Sequence, residues 1–209
     1  MRLFLLLVLS LFQLTTTAAE VVGEFEEVKM KTFDGEKFKF PSAMQGKTIN
    51  LMFLGMSDSQ ENGEWQQERL IEWHEALSAR LVFDDAVMPY HFPAMSSPPF
   101  FVKGMIARAM GEEYENTVPM DQAGVLYLDD LEEFATAAGL VADGQPTIVI
   151  ADPAGKPLQA FKGEATEENV AAVLAAVAAI APDSVIQAPG GEAEVAEEPV
   201  AEDAAEQAG

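Results

Sequence analysis

LEEFATAAGLVADGQPTIVIADPAGKPLQAFKGEATEENVAAVLAAV, residues 131–177, decides the fold. PTIVIAD, residues 146–152, is an apolar run of strand length, Pro153-Ala154-Gly155 reads as a turn, and residues 157–162 read as the next strand. Thr166 then caps a helix running to about residue 180, with Glu167 and Glu168 in its first turn and Pro182 past its end. Alanine, the best helix former, fills most of it, and Val170, Val173, Leu174 and Val177 mark its apolar stripe. Upstream, residues 131–138 read as a helix closed by Gly139. A strand, a tight turn, a strand and a helix argue an antiparallel pair covered by that helix.

Toward the N-terminus, VKMKTFDGEKFKF, residues 28–40, alternates about Asp34-Gly35, the strongest short hairpin signal because both turn positions need positive φ. TINLMFL, residues 48–54, is a short buried-type strand. Trp65, Leu70, Trp73 and Leu77 follow at helical spacing. Residues 81–88 read as a strand, residues 89–99 as an irregular loop because they hold four prolines, and residues 100–110 as a helix ended by Gly111. Residues 124–129 read as a short strand. Helices between the early strands argue a parallel pair. The whole reads as an α/β fold: a mixed central sheet flanked by helices, with an N-terminal β-hairpin.

The pattern of a helix ending Ala138-Gly139-Leu140, then x-Pro-Thr, an apolar strand, Asp152-x-x-Gly155, a strand, a glycine and a helix opened by Thr166-Glu167-Glu168 resembles the C-terminal half of thioredoxin-like proteins. It looks most like the exported thiol–disulfide oxidoreductases and peroxiredoxins, over about residues 26–180. The resemblance implies a cis peptide bond before Pro146. It also places the family's Cys-x-x-Cys at Asp58, Ser59, Gln60 and Glu61, none of which can form a thiolate. Residues 92–163 further resemble the mitochondrial thioredoxin-like factors that help assemble ATP synthase. The shared features are a proline-rich loop, a helix with Lys103 and Arg108, Gly139-Leu140 and Asp152-x-x-Gly155; Pro157-Leu158-Gln159 departs from that family's basic and aromatic residues. Cysteine-less periplasmic thioredoxin-like proteins of enteric bacteria are a comparable likeness.

Composition limits the chemistry. There is no cysteine, so thiol–disulfide exchange, thiol peroxidase activity, disulfides and iron–sulfur clusters are excluded together. The net charge of −23 repels phosphate backbones, argues against nucleic-acid partners and disfavours docking on anionic lipid; no stable membrane insertion is expected once an N-terminal signal is cleaved. Residues 1–19 read as a signal peptide: a basic Arg2, an apolar run of about twelve residues, short of the ~20 that span a bilayer, and small residues before a cleavage after Ala19. An uncleaved anchor is the other reading. Residues 187–209 hold seven acidic residues, no basic and no aromatic ones, and read as a disordered acidic tail. The expected layout is thus a signal peptide, a thioredoxin-like domain over residues 20–186, and the tail, in a periplasmic or secreted protein.

The functional expectation is a redox-inactive module that binds an envelope protein or an extended peptide noncovalently, needing no cofactor and no metal. Gln145, Pro146 and Thr147 would pair with the partner's backbone, and the aromatic residues Phe92, Phe100 and Phe101, with Tyr90, Met95 and Met105 near them, would offer an apolar patch. The alternative is an enzyme using non-thiol acid–base chemistry at Asp58, Glu61 or His74; a further one is an envelope protein with no specific pocket. Asp58 and Ser59 also suit a helix cap. His74 lacks a second histidine at i+4, so a core-edge place fits it better than metal binding.

Overall fold

Eight consecutive residues, Ile49–Met56, are buried without exception, because both faces of the strand they form are covered. The structure, a computed structural model, describes residues 19–186. Expectations for residues 1–18 and for the acidic run 187–209 fall outside it. Along the chain lie β1 (Ala19–Glu20), β2 (Val28–Lys31), β3 (Lys37–Phe40), β4 (Ile49–Met56), α1 (Gln60–Ser78), β5 (Val87–Ser96), α2 (Phe100–Tyr114), β6 (Leu126–Leu128), α3 (Leu131–Ala137), β7 (Thr147–Ala151), β8 (Pro157–Lys162) and α4 (Glu167–Ile180). Six strands form one sheet in the order β1-β8-β7-β4-β5-β6, and β2 pairs with β3 as a separate hairpin. The pairs β4–β5 and β5–β6 are parallel; β4–β7, β7–β8 and β1–β8 are antiparallel. This is the mixed, helix-flanked sheet with an N-terminal hairpin read from the sequence.

Alternate residues of the central strands feed two cores. Leu51, Phe53, Ile148 and Ile150 pack against Leu70, Trp73 and Leu77 of α1 and Val170, Val173 and Val177 of α4. Met52, Leu54, Tyr90 and Phe92 pack on the other face against Phe40 from the hairpin and Leu131 and Phe134 of α3. Trp73 anchors the first core and donates its indole N–H to the Gly163 carbonyl at 2.8 Å. Asn50, fully buried in β4, accepts from the Gly46 N–H and donates to the Asp152 carbonyl, both at 2.8 Å, so its amide costs nothing unpaired.

The hairpin strands, β4, the turn at Gly155, β7, β8 and the Thr166-capped α4 stand where the sequence placed them. Four readings are corrected. The hairpin does not close through a two-residue Asp34-Gly35 turn: the Thr32 N–H donates to the Glu36 carbonyl and the Gly35 N–H to the Thr32 carbonyl, so Phe33, Asp34 and Gly35 form the loop, with φ +95 at Gly35. The strand expected over residues 81–88 begins at Val87 and runs through the supposed proline loop to Ser96. The His91 carbonyl accepts from the Gly124 N–H, on the β6 side, whereas the Ala94 carbonyl accepts from the Ser57 N–H, on the β4 side. Pro89 and Pro93 share the parity of His91, so their missing N–H groups face the side where β6 pairs only with residues 94–96, and the prolines break no ladder bond to β4. Gly111 does not end α2, which continues to Tyr114; it faces the Phe33 ring of the hairpin, and an added Cβ there would make ordinary contact with that ring at 3.4 Å. The bond before Pro146 is trans; among the described residues the cis bond is Phe40–Pro41.

Gly155 has φ +84, and a Cβ there would stand 2.4 Å from the Pro41 Cβ. Gly155→Ala should therefore destabilise the domain by about 2 kcal/mol or more, read as a lower urea midpoint at unchanged slope. An unchanged midpoint would contradict that geometry.

Candidate functional site

One end of the sheet collects the segments that could form a site. The C-terminal ends of the parallel strands β4, β5 and β6 and the N-terminal end of the antiparallel β7 all point there. The N-terminus of α1, residues 96–99, the start of α2 and residues 143–146 therefore share this end.

At the α1 N-terminus, Ser59 is the N-cap, its hydroxyl accepting from the Asn62 N–H. Asp58 is exposed, and its two carboxylate oxygens accept from the Ser96 N–H at 2.7 Å and the Ser96 hydroxyl at 2.9 Å. The carboxylate ties the start of α1 to the end of β5, with both of its oxygens engaged by Ser96. Gln60 donates to Glu64 on the helix surface, and Glu61 is exposed.

Behind these residues lies a buried amide clamp. Gln66 is 1% exposed. Its Oε1 accepts from the Met56 N–H at 3.0 Å, and its Nε2 donates to the Met56 carbonyl at 2.9 Å and to Asn62 Oδ1 at 2.7 Å. Asn62 Nδ2 donates in turn to the Gly144 carbonyl at 3.0 Å. The pairing of β7 with β4 stops at Leu54, and the Gln66 amide satisfies the β4 backbone two residues beyond that point. These hydrogen bonds link the start of α1, the end of β4 and the loop before Pro146.

The sequence-derived binding residues divide. Phe92 is fully buried, packed edge-on to Phe40 at 5.0 Å, and cannot meet a partner; Thr147 is likewise fully buried in β7. Pro146 is buried, with its carbonyl accepting from the Gly163 N–H, while the Gln145 carbonyl accepts from the Thr147 hydroxyl and its N–H donates to Asp143. The backbone groups expected to pair with a partner strand are already bonded within the chain. Phe100, Phe101 and Met105, by contrast, are 89%, 78% and 71% exposed, an apolar surface at the start of α2, while Gln145 keeps an exposed side chain.

Two features escaped the sequence reading. His74 Nδ1 lies 3.0 Å from His91 Nε2, both rings buried, and His91 stacks on Phe53 with centroids 4.2 Å apart. Burial pushes His74 down to about 4 and His91 well below the ordinary histidine range, with the charge of His74 adding to the effect on His91. The His91 Nδ1 and the Tyr114 hydroxyl beside it have no hydrogen-bond partner among the described residues. A proton on His91 Nε2, donated to His74, leaves only a lone pair unpaired at Nδ1; the other tautomer would strand an N–H. The histidines stand seventeen positions apart on different elements, α1 and β5, so no local spacing revealed the pair. The second feature is a groove between the hairpin and α2, foreshadowed only by the alternation of lysines in residues 28–40. Among the described residues no group of three or more histidines and carboxylates could hold a metal, and no helix is long and apolar enough to cross a membrane.

No protein-family model matches the sequence, and no curated protein does. Solved structures do. A protein of Aquifex aeolicus proposed to transfer electrons is 13% identical, with 75% of this chain and 96% of that one covered at a TM-score of 0.52. The thioredoxin domain of a thiol-disulfide oxidoreductase from Bacteroides vulgatus is 14% identical, covering 76% and 99%, at 0.48, and yeast Sco1 is 13% identical, covering 77% and 97%, at 0.49. At such identities the likeness is one of fold. The fold is thioredoxin-like. This chain is a version of it without a cysteine, in which a capped and hydrogen-bonded helix start stands where the resemblance puts the thiols.

Proposed function

We propose that this chain is an exported, redox-inactive thioredoxin-like module that grips a protein or peptide segment noncovalently, as a binding or assembly factor in the cell envelope. The observation that carries the reading is the pairing of a helix start held by Asp58–Ser96, Gln66–Met56 and Asn62–Gly144 with an exposed apolar surface of Phe100, Phe101 and Met105 at the same end of the sheet. A rigid scaffold and an aromatic patch are what a docking surface needs. The partner would lie on these side chains, with Gln145 at the rim. Edge pairing with the loop before Pro146 drops out of the mechanism, since those backbone groups are spent. Acid–base catalysis finds no support in an exposed Asp58 whose oxygens are both engaged.

A photo-cross-linking residue placed at Phe101 should capture a discrete partner in cells, while the same residue at Val82, also exposed but far along the chain, should not. Phe100→Ser with Phe101→Ser should abolish the capture and change unfolding free energy by no more than about 0.5 kcal/mol, as for other surface positions. Equal capture from both sites, or none from Phe101, would overturn the reading.

A further inference from the structure

The hairpin sets lysine against lysine, and only one of the four has an ion-pair partner among the described residues. In its register Lys29 stands directly opposite Lys39, and Lys31 directly opposite Lys37. Residues opposite each other, and residues two apart on a strand, share a face, so the four lysines form one patch while Met30 and Phe38 turn the other way. Like charges directly opposed destabilise a hairpin. Lys39 has Glu27 at 3.9 Å, but Lys29, Lys31 and Lys37 have no ion-pair partner among the described residues. Three of these lysines line a groove of about 1070 Å³ whose other wall is α2, which contributes Lys103 and Arg108. Phe33, Val125 and Tyr127 give it an apolar component, and Lys103 lies 5.0 Å from the centre of the Tyr127 ring. Glu112 and Glu115 are the acidic members of the lining, and Glu112 is paired with Arg108 at 3.0 Å. Half of the chain's twelve lysines and arginines thus gather on the hairpin and α2 of a protein with a net charge of −23.

We infer that this groove is the docking site of the chain's own acidic run, residues 187–209. That run has seven carboxylates and no cation, complementary to the lysine face. It leaves the domain at Ile186, whose N–H is bonded to the Arg80 carbonyl. Fully extended, its 23 residues reach about 75 Å, against a domain about 40 Å across, so the groove lies within range. Tethering supplies an effective concentration in about the millimolar range. A separate acidic protein enjoys no such help and meets the repulsion of a net-negative domain on approach. The docked run would cover the lysine face and relieve its internal repulsion. This site is separate from the Phe100–Phe101 surface, so either proposal can fail alone.

The test compares amide NMR spectra of the full chain with those of the full chain in which the seven acidic residues of 187–209 are changed to Gln or Asn, at about 20 mM salt, where screening is weak. The expected result is a set of shift differences centred on Lys29, Lys31, Lys37 and Arg108 that largely disappears at about 0.5 M salt, and that shrinks severalfold when Lys31→Gln and Lys37→Gln are added. Coincident spectra, or differences mapping away from the hairpin and α2, overturn the inference. Phosphatidylglycerol vesicles bound through the lysine face, together with coincident spectra, would assign the patch to a membrane and overturn it equally.

Discussion

Between pH 7 and pH 4 the domain should lose at least about 3 kcal/mol of stability to a single side-chain pair, His74 and His91. Both rings are buried and held neutral, His74 down to about 4. Unfolded, each histidine takes up a proton near pH 6.5; folded, His74 takes none until about pH 4. Across that window the unfolded state binds more protons, so stability rises with pH and falls on acidification. The 2.5-unit gap for His74 corresponds to about 3 kcal/mol, and His91 shifts in the same direction. The excess of carboxylates works against this, because acid relieves their mutual repulsion. The comparison that isolates the histidines is urea unfolding at pH 7, 5.5 and 4 of the native chain and of His74→Gln with His91→Gln, which keeps amide hydrogen bonding but titrates nowhere in this range. The native chain should lose at least about 3 kcal/mol more than the variant; parallel curves would show that the pair does not govern acid stability.

Gln66→Leu should cost about 2–4 kcal/mol despite nearly preserving volume. The substitution leaves the Met56 N–H and carbonyl buried without their partner, at about 1–3 kcal/mol for each. It also removes the bond to Asn62, and with it the brace that reaches the Gly144 carbonyl. Hydrogen exchange at the Met56 amide should accelerate by more than the loss in global stability alone would give, because the local bond is gone as well. A loss under about 0.5 kcal/mol would mean that water takes the place of the amide, and that the clamp is not what fixes the start of α1. Asn62→Ala, which leaves both Met56 bonds in place, should cost much less.

The fold was legible where local chemistry decides it. Asp34-Gly35 signalled the hairpin, the apolar runs at β4 and β7 gave the central strands, and Thr166 with two glutamates marked α4. What escaped required register. Pro89 and Pro93 look like loop residues until the parity of their missing N–H groups is known, and that parity depends on how far β6 pairs along β5. The cis bond implied before Pro146 by resemblance is trans here. Of the predicted surface, Phe100 and Phe101 were legible, whereas Phe92, a few residues earlier, belongs to a fully covered strand and looks outward only if the segment is taken for a loop. The clamp from Gln66 was invisible because a polar residue on a charged helix gives no sign of burial. The lysine face was written plainly in VKMK and KFKF, but its meaning depends on the two segments pairing lysine against lysine.

The outer strand β6 is very short and pairs with β5 through three residues. A second molecule seeking to extend the sheet along β6 finds only a brief run of open hydrogen-bonding groups there, too little to nucleate fibre growth from that strand. For a chain that cannot use a disulfide to hold an opened state together, this truncated margin is a safeguard against self-templated aggregation that operates whatever the redox conditions around it.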